Sequence, residues 1–241
     1  MSGRLYVGTS GFAYPDWAPA FYPAGARGEA LLPFYAARLP ACELNNTFYR
    51  HPSARLIGGW LAATPPDFRF AVKAQRGSIR ALRDDPAGTV SWLAAPYRLF
   101  GERLGSVLYR VPTEVQRDDQ RLAALLEAWP AELPLTVELQ HPSWLDDRVL
   151  QALRAAGVAL CATELETDAE PPRLFRTGPF MYLRLRRDDY SPAELDAWAE
   201  RLDPFLESGA DVYVFFKHDA VGRAPALALE LAQRVASIVG P

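Results

Sequence analysis

Cysteine is scarce in this sequence. Cys42 and Cys161 are the only two, each lies in an apolar stretch, and no Cys-x-x-Cys spacing occurs, so buried free thiols are expected rather than a disulfide, a redox pair or a zinc site. An excess of charge of one sign is also lacking. The 26 Lys and Arg stand against 29 Asp and Glu, a net of -3, which gives no bulk electrostatic reason to bind nucleic acid or an anionic membrane. Any cationic site must therefore be local. Neither a membrane-length apolar run nor a secretory segment is found, and Met1-Ser2-Gly3-Arg4 passes straight into a strand-like run, so a cytoplasmic location without a membrane partner is expected. No Gly-x-Gly-x-x-Gly turn follows that first strand, and no repeat with a period of about 20 to 50 residues is visible. No Gly-, Ser- or Pro-rich linker divides the chain, whose 21 prolines are scattered through turns. Residues 1–241 are read as a single domain, a length that one α/β barrel commonly occupies.

What the chain does have is alternation. Apolar runs of strand length fall at Leu5–Thr9, Ala41–Phe48, Phe68–Ala74, Ser106–Pro112, Leu135–Gln140, Ala159–Glu164, Met181–Arg186 and Asp211–His218. Helical periodicity occupies Ala30–Arg38, Ser53–Ala62, Thr89–Arg103, Asp118–Trp129, Leu145–Ala156, Pro192–Leu206 and Arg223–Val239, while the sixth connection, Leu165–Thr177, has no clear helix. Ser191-Pro192-Ala193-Glu194 reads as a capping box with proline at the first helical position, and Gly157 and Gly209 sit where helices should stop. Strands that alternate with helices in this way form parallel βαβ units. The fold expected is α/β, a single (β/α)8 TIM-like barrel, with an open doubly wound sheet as the structural alternative.

In such a barrel the site is built at the carboxyl ends of the strands, and polar residues collect there. They include Thr9 and Ser10 on the first strand, Glu43 and Asn45 on the second, Lys73 on the third and Arg110 on the fourth. Glu138, Gln140 and His141 close the fifth strand, Glu164 the sixth, Arg184 and Arg186 the seventh, and Lys217, His218 and Asp219 the eighth. Because alternate residues point inward, Glu43 is in phase with Asn45, Glu138 with Gln140, and Arg184 with Arg186. Charges inside a barrel need partners, so Glu43, Lys73, Glu138 and Arg184 should neutralise one another, either as a structural layer or as binding machinery. The three histidines, His51, His141 and His218, all follow strand ends, but their spacing matches no metal motif. Capping or surface roles are expected for them, with neither a metal nor a cofactor. His141 is the best placed of the three for proton exchange, since it follows the strand of Glu138. Aromatic residues, Trp17 and Trp144 among them, gather in the same loops and could either stack on a planar ligand or pack the rim. The Gly8-Thr9-Ser10-Gly11 turn could cradle a phosphate through its backbone N–H groups.

A set of motifs in a fixed order resembles the DUF72 (YecE-like) family over nearly the whole chain. They are Gly8-Thr9-Ser10-Gly11 with Trp17 and Phe21-Tyr22-Pro23, Glu43-Leu44-Asn45 with Thr47-Phe48-Tyr49, and Phe70-Ala71-Val72-Lys73. Val137-Glu138, His141-Pro142-Ser143-Trp144, Tyr182-Leu183-Arg184, Tyr190-Ser191, and Phe216 with Asp219, Gly222 and Ala224 follow. The resemblance implies a TIM-barrel-like fold with Glu43, Lys73, Glu138, His141, Trp144 and Arg184 at its mouth, and it supplies no substrate. The sequence departs from the family pattern at Arg110, Gln140, Arg186-Arg187 and Lys217-His218. These departures read either as an exchange, one Arg and one His each delivered from the adjacent strand, which predicts that Arg110 lies close to Gln140 and His218 close to Arg186, or as independent drift at exposed rim positions.

The function expected from these residues is an enzyme acting on a small polar anionic ligand by metal-independent acid–base chemistry. Glu138 and His141 would exchange protons, with Glu43 and Asn45 orienting the substrate. Lys73 and Arg184, with Arg110 and His218 nearby, would bind its phosphate or carboxylate, and Trp17 and Trp144 would wall the site. Metal-assisted phosphodiester cleavage at His141 or His218 is one alternative, and a non-catalytic ligand-binding or accessory protein is another.

Overall fold

The computed structural model describes residues 2–82 and 84–239. Eight parallel strands close into a barrel in sequence order. They are β1 (Leu5–Ser10), β2 (Ala41–Leu44), β3 (Arg69–Lys73), β4 (Leu104–Val111), β5 (Leu135–Leu139), β6 (Ala159–Glu164), β7 (Phe180–Leu185) and β8 (Asp211–Phe216). Closure comes from β1, which pairs with β2 on one side and β8 on the other. Helices α1 (Leu31–Ala36), α2 (Ala54–Ala62), α3 (Pro86–Tyr97), α4 (Asp119–Ala128), α5 (Asp147–Ala155), α6 (Pro192–Glu207) and α7 (Arg223–Val239) accompany the strands. The connection from β6 to β7 contains no helix.

Side-chain alternation separates two apolar layers. One face of the strands carries Val7, Leu44, Val72, Val107, Val137 and Val214, packed with Leu93, Leu125, Leu195 and Leu231 of the helices. The opposite face fills the barrel with Tyr6, Ala41, Ala71, Leu108, Cys161, Tyr182, Tyr213 and Phe215. Tyr6 and Tyr213 stack at 4.8 Å between ring centroids, and Phe180 meets Tyr213 edge-on. Both cysteines are free and buried.

Local signals set the helix ends. Ser191 and Glu194 form the reciprocal capping box, and Gly157 and Gly209 take positive φ values of 65° and 81° just beyond α5 and α6. Two elements differ from the sequence reading by more than two residues at an end. The second strand stops at Leu44, because Asn45 turns into the helical region (φ -82°, ψ -27°) and Asn46–Phe48 forms a 3-10 turn. The third helix starts earlier, at Pro86, and ends at Tyr97, since Pro96 removes an amide donor from its last turn; tighter turns follow over Arg98–Arg103, interrupted at Gly101 (φ 54°, ψ -137°).

Candidate functional site at the barrel mouth

Each inward side chain is followed two residues later by another, one level closer to the carboxyl end of the strand. Ala41 precedes Glu43, Ala71 precedes Lys73, Leu108 precedes Arg110 and Tyr182 precedes Arg184, so the apolar filling gives way to charge within one pleat.

Arg184 is the hub of the charged layer. Its Nε and Nη2 donate to the two oxygens of Glu43 at 3.0 and 2.9 Å, and its Nη1 donates to both oxygens of Glu138 at 2.9 and 3.1 Å. Glu43 also accepts from Ser10 Oγ and Tyr182 Oη, each at 2.9 Å, and Glu138 accepts from Thr163 Oγ1 at 2.8 Å. Arg184, Glu43 and Glu138 are only 4%, 0% and 2% exposed, so removal of any partner would strand a buried charge. Burial by itself raises the Glu43 carboxyl. The guanidinium of Arg184, then that of Arg186, outweighs it and brings the group down to about 2. Glu138 is likewise held below the usual carboxylate range, with Arg184 and the Thr163 hydroxyl overcoming its burial.

Further positive charge surrounds this triad. Arg186 Nη1 donates to Ser10 Oγ at 2.9 Å. Arg110 Nη2 donates to Gln140 Oε1 at 2.7 Å and its Nε lies 3.8 Å from Glu138 Oε2. The Lys73 ammonium rests over the Phe48 ring, 4.6 Å from its centroid. Four cations therefore share two carboxylates, and both carboxylates are already bound to one of the four. The surplus is felt by the cations: burial lowers the pKa of Lys73 and Arg186, and in each case Arg184 is the next contribution in the same direction. At the edge, His218 stacks face to face on Tyr14 at 4.9 Å; burial and then Arg186 lower its pKa, which favours the neutral imidazole. Arg110 thus lies against Gln140, the first of the two neighbour relations expected from the departures, while for His218 the charge of Arg186 acts on the ring.

Other expected site residues take different places. Arg184 holds both glutamates and has little of its fork left for a ligand. Glu138 is a poor proton acceptor, because both its oxygens take hydrogen bonds and it is held ionised. His141 stands on the rim, where its Nδ1 accepts the backbone N–H of Ser143 at 3.1 Å and caps the short turn Pro142–Trp144. Trp17 and Trp144 are 0% and 2% exposed and so offer no open face to a ligand. Their indole N–H groups donate instead to backbone carbonyls, Trp17 to Asp219 at 2.8 Å and Trp144 to Val115 at 2.9 Å. The first of these bonds ties the loop after β1 to the loop after β8, where the Asp219 carboxylate accepts from the N–H groups of Val221, Arg223 and Ala224. Asn45 is half-buried beside the Tyr14 hydroxyl. Glu164 is out of phase with the inward residues of β6 and accepts from Tyr190 Oη at 2.6 Å. Tyr182 and Thr163 enter the charged network although neither was singled out as a site residue, and Arg186, placed at the same strand end by its sequence, joins them. Their inward phase, two residues from Arg184 or Cys161, was the available signal.

Among the described residues, no three His, Cys, Asp or Glu side chains gather closely enough to hold a metal ion. A cleft of about 1130 Å³ lies off the barrel axis, lined by residues that include Phe12, Thr47, His51, Arg55 and Trp60, and none of the mouth cations contributes to it. No described helix is long and apolar enough to cross a membrane.

Comparison with known proteins agrees with this architecture. The crystal structure of a DUF72 family protein from Thermotoga maritima is 27% identical, with a TM-score of 0.84 over 95% of this chain and 98% of that one. A DUF72 family protein from Enterococcus faecalis superimposes with a TM-score of 0.81 at 18% identity, covering 96% of this chain and 95% of the other, a likeness of fold. In sequence, the UPF0759 protein YunF of Bacillus subtilis is 23% identical over 259 residues, 91% of this chain and 90% of its own length. The family model described as protein of unknown function DUF72 matches residues 6–239, and the chain belongs to that family.

Proposed function

We propose that the barrel mouth binds a small molecule through its phosphate or carboxylate group and that the protein acts on it there as an enzyme. One observation carries this reading: Lys73, Arg110, Arg184 and Arg186 converge where, among the described residues, only Glu43 and Glu138 offset them, in a protein whose net charge is -3. A partly desolvated cation surplus is stabilised by an anion from solution. Arg110 and Arg186 present guanidinium groups to it, and Lys73 a third cation. Glu43, Arg184 and Glu138 form a rigid floor that fixes the field rather than exchanging protons. Proton transfer falls to the rim, where His218 stacks on Tyr14 and feels the charge of Arg186, with His141 as the second imidazole on that rim.

Inorganic phosphate at constant ionic strength tests the binding half of this reading, because a ligand that binds only the folded state raises the thermal midpoint. The wild type should be stabilised in a saturable way, and Arg186→Gln should lose most of the increment. A midpoint indifferent to phosphate would overturn the reading. Turnover of phosphorylated or carboxylated small molecules by the wild type, lost in His218→Asn, tests the catalytic half.

A further inference from the structure

The chain holds 26 lysines and arginines, yet only Lys73 and Lys217 are lysine. Both stand on the mouth side of the barrel, Lys73 as the last residue of β3 and Lys217 directly after β8. Everywhere else a basic residue is arginine, whose guanidinium stays protonated and does not serve as a nucleophile. The two lysines are not equivalent. The Lys217 ammonium is paired with the exposed Asp188 carboxylate. Lys73 makes no ion pair among the described residues, since the glutamates nearest to it are turned to Arg184. Its Nζ is 4.6 Å from the Phe48 ring centroid, and the charges of Arg184 and Arg110 act on it against those of Glu43 and Glu138. Its backbone is fixed, because Thr47 Oγ1 lies within hydrogen-bonding distance of the Lys73 carbonyl at 2.7 Å and of the Leu44 carbonyl at 2.6 Å. Burial, and after it Arg184, lowers its pKa. A desolvated amine set beside other cations loses its proton more readily and becomes a nucleophile toward carbonyl carbon.

We propose that Lys73 is a carbonyl-reactive amine and that the substrate is an aldehyde or ketone that also carries a phosphate or carboxylate. This rests on the anion-binding reading above, with Arg110 and Arg186 taking the anionic group and Lys73 reassigned from charge to chemistry. The Nζ lone pair attacks the carbonyl carbon and a C–N bond forms. The carbonyl oxygen takes one hydrogen from the amine and one proton from solvent and leaves as water, which gives an iminium ion. That cation draws the electron pair of a bond one carbon away and so weakens a C–H or C–C bond there.

Glycolaldehyde phosphate and glycolaldehyde, each with borohydride, test the inference on the whole protein. Hydride reduces the iminium ion to a stable secondary amine that peptide mass spectrometry locates. At neutral pH the phosphorylated probe should label Lys73 at least ten-fold faster than Lys217, and faster than Lys73 in urea-unfolded protein. The comparison of the two lysines in the wild type needs no variant to fold. Equal labelling of both lysines, or none at Lys73, overturns the inference; if phosphate still stabilises the protein, the anion-binding reading survives alone. Preferential labelling of Lys73 by both probes equally, with no phosphate effect on the midpoint, supports the reactive amine and overturns the anion-binding reading.

Discussion

Two levels of the barrel interior, one pleat apart on the same strands, solve the problem of filling a closed sheet in opposite ways. The lower level is aromatic and aliphatic, with Tyr6, Tyr213 and Phe180 packed ring against ring, and it needs no partner outside itself. The upper level is ionic, organised by Arg184 between Glu43 and Glu138, and carries more positive charge than it neutralises. The comparison teaches that stability and unsatisfied chemistry can be layered along one strand. Apolar filling tolerates loss of a contact in proportion to the area lost, whereas the ionic layer fails when one member is removed.

The largest test of that contrast is Arg184→Met, which leaves two buried carboxylates without a cation and should cost about 3–5 kcal/mol in a denaturant titration. Adding Glu43→Gln and Glu138→Gln should recover part of the loss; a loss below about 1 kcal/mol for the single variant would break the contrast. Acid provides the next test. Both glutamates have folded-state values below the ordinary one, so the stability they contribute is complete above about pH 4.3. It is lost as the pH falls toward about 2, where Glu43 takes up a proton. The urea midpoint of the wild type should fall through this window, and that of Glu43→Gln should fall less steeply. A sharper comparison applies one substitution to both levels. Tyr182→Phe removes a donor to a buried carboxylate and should cost about 1.5–3 kcal/mol. Tyr213→Phe, whose hydroxyl makes no hydrogen bond among the described residues, should stay within about 0.5 kcal/mol. The smallest effect on stability is expected for Arg110→Gln at the half-exposed rim, also within about 0.5 kcal/mol, although it should weaken phosphate binding measured by calorimetry.

The barrel was legible because period-two alternation and turn residues agree in every unit, down to the missing sixth helix. The charged ring was legible for the same reason: Glu43, Lys73, Glu138 and Arg184 share one inward phase. What the pattern could not give was the pairing inside the ring. That one guanidinium takes both carboxylates depends on strands far apart in sequence, and it changes the roles of Arg184 and Glu138. Trp17 and Trp144 were ambiguous because an indole in a loop serves equally as a wall or as packing until its N–H finds an acceptor, here the carbonyls of Asp219 and Val115. Asn45 was placed on a strand because local sequence does not show where β2 bends away. Lys73 stands out only against the whole composition, in which it and Lys217 are the two lysines among 26 lysines and arginines.

The bond from the Trp17 indole to the Asp219 carbonyl has a meaning in time as well as in space. Its partners lie 202 residues apart, and those of the Glu43–Arg184 pair 141 apart. A chain emerging from the ribosome amino end first exposes Glu43 long before its guanidinium exists, so that carboxylate must remain hydrated until β7 arrives. The seam beside it cannot be drawn shut before β8 and the loop beyond it have been synthesised. Assembly of the mouth is therefore a late event in the life of each molecule, and a ligand that requires the complete mouth discriminates against nascent and truncated chains.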